Sequence, residues 1–221
     1  MGTAASFALN LFEEMMKNKF VLVTLLTAIC WSGLNAQYDS RDSTYHRFFL
    51  GSTAFLLGNF AERNSPDFVQ LNFGYRLSEK DVISLEIKTW KYAWPLGIPI
   101  FSDSYEADGE NFPGYIRERG FALVYQRFLW KGLYAGLHSM NAWQKFVGET
   151  GGKIGDGFQI FNTYRLGYHL KLFRNRFFVE PSLAITHRAY HTEMPESFKV
   201  VDDRWSKFLY GEPGLHFGFN F

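Results

Sequence analysis

The chain is predicted to fold as an all-β, eight-stranded antiparallel up-and-down transmembrane β-barrel, preceded by a signal-peptide helix. Three observations predict it. Eight segments alternate apolar and polar residues with period two, the connections between them alternate long and short, and aromatic residues recur at strand ends and at alternate positions up to Phe221. Period-two alternation puts successive side chains on opposite faces of a strand. A barrel immersed in lipid turns the apolar face outward.

Composition narrows the class. The 221 residues carry a net charge of +1, which provides no basic surface for nucleic acid, so none is expected as a partner. Aromatics make up 19 % of the chain, with 24 Phe and 12 Tyr, yet the mean hydropathy is slightly negative. Outside the N-terminus no apolar run reaches the roughly 18 residues of a membrane helix. Alternating membrane strands produce this combination.

The N-terminus accounts for the one apolar run. Lys17 and Lys19 form a basic region, 20–29 an apolar one, and cleavage is expected after Ala36, making 1–36 a signal peptide. Met16, followed by Lys17, Asn18 and Lys19, is a better start than Met1, so 1–15 is read as a misassigned start. Residues 37–46 then form a periplasmic N-terminal segment and 47–221 the outer-membrane barrel. Cys30 follows the large Ile29, which argues against lipidation, and it is the only cysteine. The mature chain therefore offers no disulfide, thiolate metal site or cysteine nucleophile.

The strands are expected at 47–58, 67–77, 81–93, 116–129, 132–145, 157–171, 176–188 and 206–221. Each is long enough for a tilted crossing, which takes about 9–11 residues. In the second, Val69, Leu71, Phe73, Tyr75 and Leu77 oppose Gln70, Asn72, Gly74 and Arg76. In the third, Ile83, Leu85 and Ile87 oppose Ser84, Glu86 and Lys88. The sixth, seventh and eighth alternate as clearly, whereas the first, fourth and fifth are less regular. The connections 59–66, 95–115, 146–156 and 189–205 are long, and 78–80, 130–131 and 172–175 are short. Barrels of this kind have long extracellular loops and tight periplasmic turns, so an even strand number leaves both termini in the periplasm. Trp90, Tyr92, Trp94, Trp130, Tyr134, Trp143 and Phe146 are expected in interfacial girdles.

With strand number, loop alternation and terminal Phe221 in view, the chain resembles the small outer-membrane barrels of the OmpA transmembrane-domain and OmpX type over residues 45 to 221. Glu212, Pro213, Gly214, Leu215, His216, Phe217, Gly218 and Phe219 resemble the last strand of many such barrels. Leu215, Phe217, Phe219 and Phe221 resemble the terminal signal that the outer-membrane assembly machinery reads. The resemblance implies a fold, with outer-membrane lipids, lipopolysaccharide and that machinery as partners, and a monomer. It does not carry a molecular activity.

Inward positions include Arg76, Glu86, Lys88, Arg165, Glu180, Glu212 and His216, with His169 and Lys171. Charges confined in a narrow lumen should pair and plug it. Pro181 and Pro213 follow Glu180 and Glu212, and each proline removes a ladder donor, so bulges that aim the glutamates inward are expected there. His138 and Ser139 are the candidate catalytic pair, resembling the His-x-Ser-Asn of lipid A deacylase barrels. There the His and Ser are two apart on one face, whereas here they are adjacent and should face opposite ways. His187 and His191, near Glu193 and Glu196, are the candidate metal ligands. The loop Gly148 to Gly155 lacks a phosphate-loop ending, and the acidic loop bearing Asp103, Glu106, Asp108 and Glu110 is read as solvated. No cofactor is expected. An envelope structural, adhesion or surface-binding role with a plugged lumen leads; a lipid A or phospholipid hydrolase and a narrow channel are the alternatives.

Overall fold

A computed structural model describes residues 46–61, 65–105, 107 and 109–221. The expected signal peptide, Cys30, most of the N-terminal segment, Glu106 and Asp108 lie outside the described residues. The strands are β1 (Phe48–Thr53), β2 (Val69–Arg76), β3 (Asp81–Tyr92), β4 (Tyr115–Trp130), β5 (Leu133–Val147), β6 (Lys153–Tyr168), β7 (Leu170–Leu172), β8 (Phe177–His191) and β9 (Phe208–Asn220). Each pairs antiparallel with its neighbours, β1 pairs with β9, and β6 and β7 both pair with β8, so the sheet closes on itself. The β6–β8 pair Gly167–Ser182 and the β7–β8 pair Leu170–Val179 share one register. β6 and β7 are therefore one crossing, interrupted where Pro181 lacks the N–H for the ladder. The described residues thus form an eight-stranded up-and-down barrel.

Its polarity is inverted relative to a soluble domain. Val69, Leu71, Ile87, Leu123, Leu166 and Leu183 point outward and are exposed, whereas Gln70, Glu86, Glu118, His138, Gln159, Glu180 and Arg188 are buried inside. An apolar wall of this extent is stable only against hydrocarbon, so the barrel is a transmembrane one. The irregular alternation of β4 and β5 has a local cause. Ala122, Met140, Ala142 and Phe161 fill part of the lumen with an apolar cluster, so those inward positions do not read as polar.

Several boundaries differ from the sequence expectation. The first strand ends at Thr53 rather than 58, where a 3-10 helix, Ala54–Phe60, begins with the Thr53 hydroxyl accepting from the Phe55 amide. The expected long connection 146–156 is only 148–152, because β5 runs to Val147 and β6 starts at Lys153. Gly155, expected in that connection, pairs with Phe146. The last connection begins after His191 and contains a helix, α1 (Glu196–Asp202).

No bulge falls at Pro181 or Pro213, which pair with Leu215 and Leu183 in unbroken register. The β8–β9 register shifts instead beside Gly211, whose φ of +72° suits glycine. Simple alternation aims Glu180 and Glu212 inward.

The girdle is also corrected. Trp130 and Trp143 face outward and are exposed, but Trp90 and Tyr92 bond to Glu118 inside, and Tyr134 and Phe146 are buried inside. Trp94 packs on Tyr105 under the loops. Parity decides this, since every second residue of a strand faces the lumen even at its end. Phe48, stacked on Phe73 and Phe221, belongs to the outer ring at the terminal end.

Candidate functional site

The lumen is built in layers. Nearest the termini, Phe49 of β1 meets Phe178 of β8 with ring centroids 5.3 Å apart. Phe178 stacks on His169, His169 meets Phe128, and Phe128 meets Tyr134, at centroid distances of 5.0, 5.4 and 6.0 Å. These contacts run from β1 and β8 through the β6–β7 crossing to β4 and β5, so aromatic rings span the bore. Gly74 makes room for Phe49, since a Cβ there would lie 1.9 Å from the ring. Arg76 lies over the Phe49 ring and donates to Asn220 Oδ1 at 3.1 Å.

Above this layer sit the expected charges. Glu180 Oε1 pairs with His169 Nδ1 at 2.6 Å and accepts from Gln126 at 3.0 Å. Arg165 donates to His216 Nε2 at 3.2 Å, and His138 Nε2 lies 3.2 Å from Glu86 Oε1. Glu212 accepts from the Thr186 hydroxyl at 2.6 Å. Lys88 makes no ion pair or hydrogen bond with any described residue, and its ammonium stands 4.9 Å from the Phe161 ring and 5.5 Å from that of Trp90. Glu86, Glu180 and Glu212 thus bond to histidine, amide and hydroxyl groups.

Towards the loops, Glu118 forms a second polar centre that sequence reasoning missed. It is fully buried and accepts from Trp90 Nε1 at 2.9 Å, Tyr92 OH at 3.2 Å, and the Gln144 and Gln159 amides at 3.4 and 2.5 Å. The available signal was parity: between Arg117 and Arg119, which face out, Glu118 must face in.

A cap closes this end. Phe112, Ile116, Phe146, Met194, Phe198 and Val201 form a buried cluster that joins the β3–β4 loop and α1 to the wall. Arg188 of β8 clamps Asp202 of α1 through two bonds of 2.8 and 2.5 Å, and Lys207 adds a contact at 3.2 Å. Burial alone would raise the Asp202 carboxyl, but Arg188 and then Lys207 outweigh it and hold it below the ordinary carboxylate range. Trp205 donates to Glu110, and Arg204 to the Gly109 carbonyl, tying the two loops together.

Between the cap and the charged layer is a cavity of about 150 Å³, lined mainly by apolar side chains such as Trp90, Trp94, Ile98, Phe112 and Met194, with Lys88, Arg188 and Glu212 at its polar edge. A second cavity, about 140 Å³, continues along Glu86, Lys88, His138, Arg165 and His216. A third, of about 40 Å³, reaches Phe49 and Phe178. His138 Nδ1, Arg188 Nε and His216 Nδ1 are buried beside these spaces without a hydrogen-bond partner among the described residues.

The other sequence candidates do not converge. His138 faces the lumen and Ser139 the opposite side of a regular strand, opposite Leu123 and Asn162. His187 stacks on Phe208 at 4.2 Å, while His191 Nδ1 bonds to the Thr192 carbonyl. No group of three or more His, Cys, Asp or Glu able to hold a metal occurs among the described residues.

The fold and its interior define a class: a transmembrane β-barrel with an aromatic layer at the terminal end and a capped cavity at the loop end. No protein-family model matches the chain, and no curated protein matches it. Among solved structures it is similar to CarO of Acinetobacter baumannii, at 14 % identity and a TM-score of 0.39 over 79 % of this chain and 96 % of that one. At that level the likeness adds nothing to the topology.

Proposed function

We propose that the protein is an outer-membrane barrel that holds a small, largely apolar solute at the cell surface and does not conduct. Its long loops would face outward and its termini the periplasm, as the tight turns at the terminal end suggest. The observation that carries this reading is the aromatic layer from Phe49 to Tyr134, which lies between the cavities and the terminal end of the bore. An apolar cavity near 150 Å³ accommodates one benzene-sized ring, and the loop-end cavity is of that size. Its polar edge suits a ligand with a single hydrogen-bonding group.

The test uses 4-fluorophenol and ¹⁹F NMR with the folded barrel in detergent. Its signal should shift and broaden with the wild type, and recover its free position with Ile98→Phe, which fills the cavity. No change with the wild type would remove the ligand-binding half of the proposal. Conductance of wild-type protein in planar bilayers would remove the other half.

A further inference from the structure

At the loop end, the outward-facing cations of the described strands cluster on β3 to β5. The register aligns Lys91, Arg117, Lys145 and Asp156 in one row across β3 to β6, and Thr89, Arg119, Trp143 and Phe158 in the next row towards the termini. All four basic residues of these rows face outward by parity, opposite in sense to the inward Trp90, Glu118 and Gln144. Asp67 takes Lys91 and Arg117 at 3.2 and 3.0 Å, and Lys153 takes Asp156 at 2.5 Å. Arg119 and Lys145 form no ion pair with any described residue. At the loop end of the opposite wall, β8 and β9 present Ala189, Tyr190, Phe208 and Tyr210, with no cation. Among the described strands, the outward cations at the loop end therefore lie on β3 to β5.

Immediately beside Arg119 the wall is grooved. Val69, Leu71, Ile87, Thr89, Arg119 and Trp143 line an open depression of about 580 Å³ on the lipid-facing side. Its long sides are apolar, and a guanidinium stands at its loop end. That pairing of a hydrocarbon slot with a cation at headgroup height matches an acyl chain joined to an anionic head. Arginine binds phosphate bidentately, which favours a phosphoryl head. Neighbouring strands lie about 4.8 Å apart, so the cations from Lys91 to Lys145 extend over about 10 Å, too wide for a single phosphate.

We propose that this wall binds a lipid carrying two phosphates, one held by Arg119 and Lys145 and the other displacing Asp67 from Arg117 and Lys91, with an acyl chain in the groove beneath. The lipid is a diphosphorylated glycolipid of the outer leaflet. The assignment rests on the outward orientation of the loops proposed above, and it is independent of the solute cavity.

Native mass spectrometry of the detergent-solubilised barrel tests it, with diphosphoryl lipid A, monophosphoryl lipid A and phosphatidylglycerol as probes. The wild type should retain diphosphoryl lipid A about tenfold better than the Arg119→Gln/Lys145→Gln variant. Lys131→Gln, at a turn on the terminal end, should retain it fully. Both variants should keep the heat-modifiable gel migration of a folded barrel, since the substituted residues are exposed. Equal retention by the double variant and the wild type would overturn the site. Equal retention of all three lipids would overturn the two-phosphate assignment. A Glu149→Cys variant, in the exposed 148–152 connection, reads orientation separately: labelling of intact cells by a membrane-impermeant maleimide supports outward loops, and labelling only after solubilisation would overturn the leaflet whatever the lipid result.

Discussion

Removing the charge of Asp202 should open the cap while leaving the barrel folded. Arg188 and Asp202 are 7 % and 2 % exposed, and the carboxylate spans the guanidinium with two short bonds. Asp202→Asn keeps the volume but leaves Arg188 buried without a counter-charge, and breaking a buried pair in this way costs about 3–5 kcal/mol. What else holds the cap is apolar. Met194, Phe198 and Val201 are buried against Phe112 and Phe146, worth about 1.5–3 kcal/mol each. The lost ion pair should then appear directly as opening, by about two to four orders of magnitude at 1.36 kcal/mol per tenfold. Hydrogen-exchange mass spectrometry on the solubilised protein reads this between 193 and 207, with the strands as internal reference. Replacing both partners with apolar residues, Arg188→Met with Asp202→Leu, should restore protection, because no unpaired charge remains. Wild-type protection in Asp202→Asn would refute the clamp. Loss of protection throughout the strands would refute the claim that the cap opens independently.

The same carboxyl sets a pH dependence. Its value is depressed in the folded cap, so its stabilisation is present above the ordinary aspartate pKa of about 3.9 and is lost as pH falls through the lower folded value. Cap protection should therefore hold from neutral pH to about 4, after correction for intrinsic exchange, and decline below it; a decline already complete at pH 6 would point to another group. Glu118→Ala leaves the buried Trp90 Nε1 and Tyr92 hydroxyl donors without their acceptor, at about 1–3 kcal/mol. Urea unfolding from lipid vesicles should show the lower midpoint, and an unchanged one would mean that water replaces the carboxylate at no cost. Phe49→Ala with Phe178→Ala removes two rings of the aromatic layer and should create measurable conductance in planar bilayers. Continued silence from this folded variant would show that the charged layer closes the bore by itself.

Period-two alternation was enough to determine the strands of β2, β3, β8 and β9, because a strand between lipid and a polar lumen must change character at every residue. It also located Arg76, Glu86, Lys88, Arg165, Glu180, Glu212 and His216 at inward positions, since parity does not depend on partners. Gly155 and the aromatics at strand ends misled for a related reason. Residue type was read as loop or girdle where parity and pairing decide the face.

Only the tertiary structure brought together what the chain keeps far apart. Arg188 and Asp202 meet because α1 folds back over the mouth. Glu118 collects donors from β3, β5 and β6 because those strands curve around one bore. Lys91, Arg117, Arg119 and Lys145 form a single patch because three strands share one register. Sequence fixes which face a residue occupies; inter-strand register and loop folding fix its neighbours, and those depend on non-local pairing that periodicity along the chain does not encode.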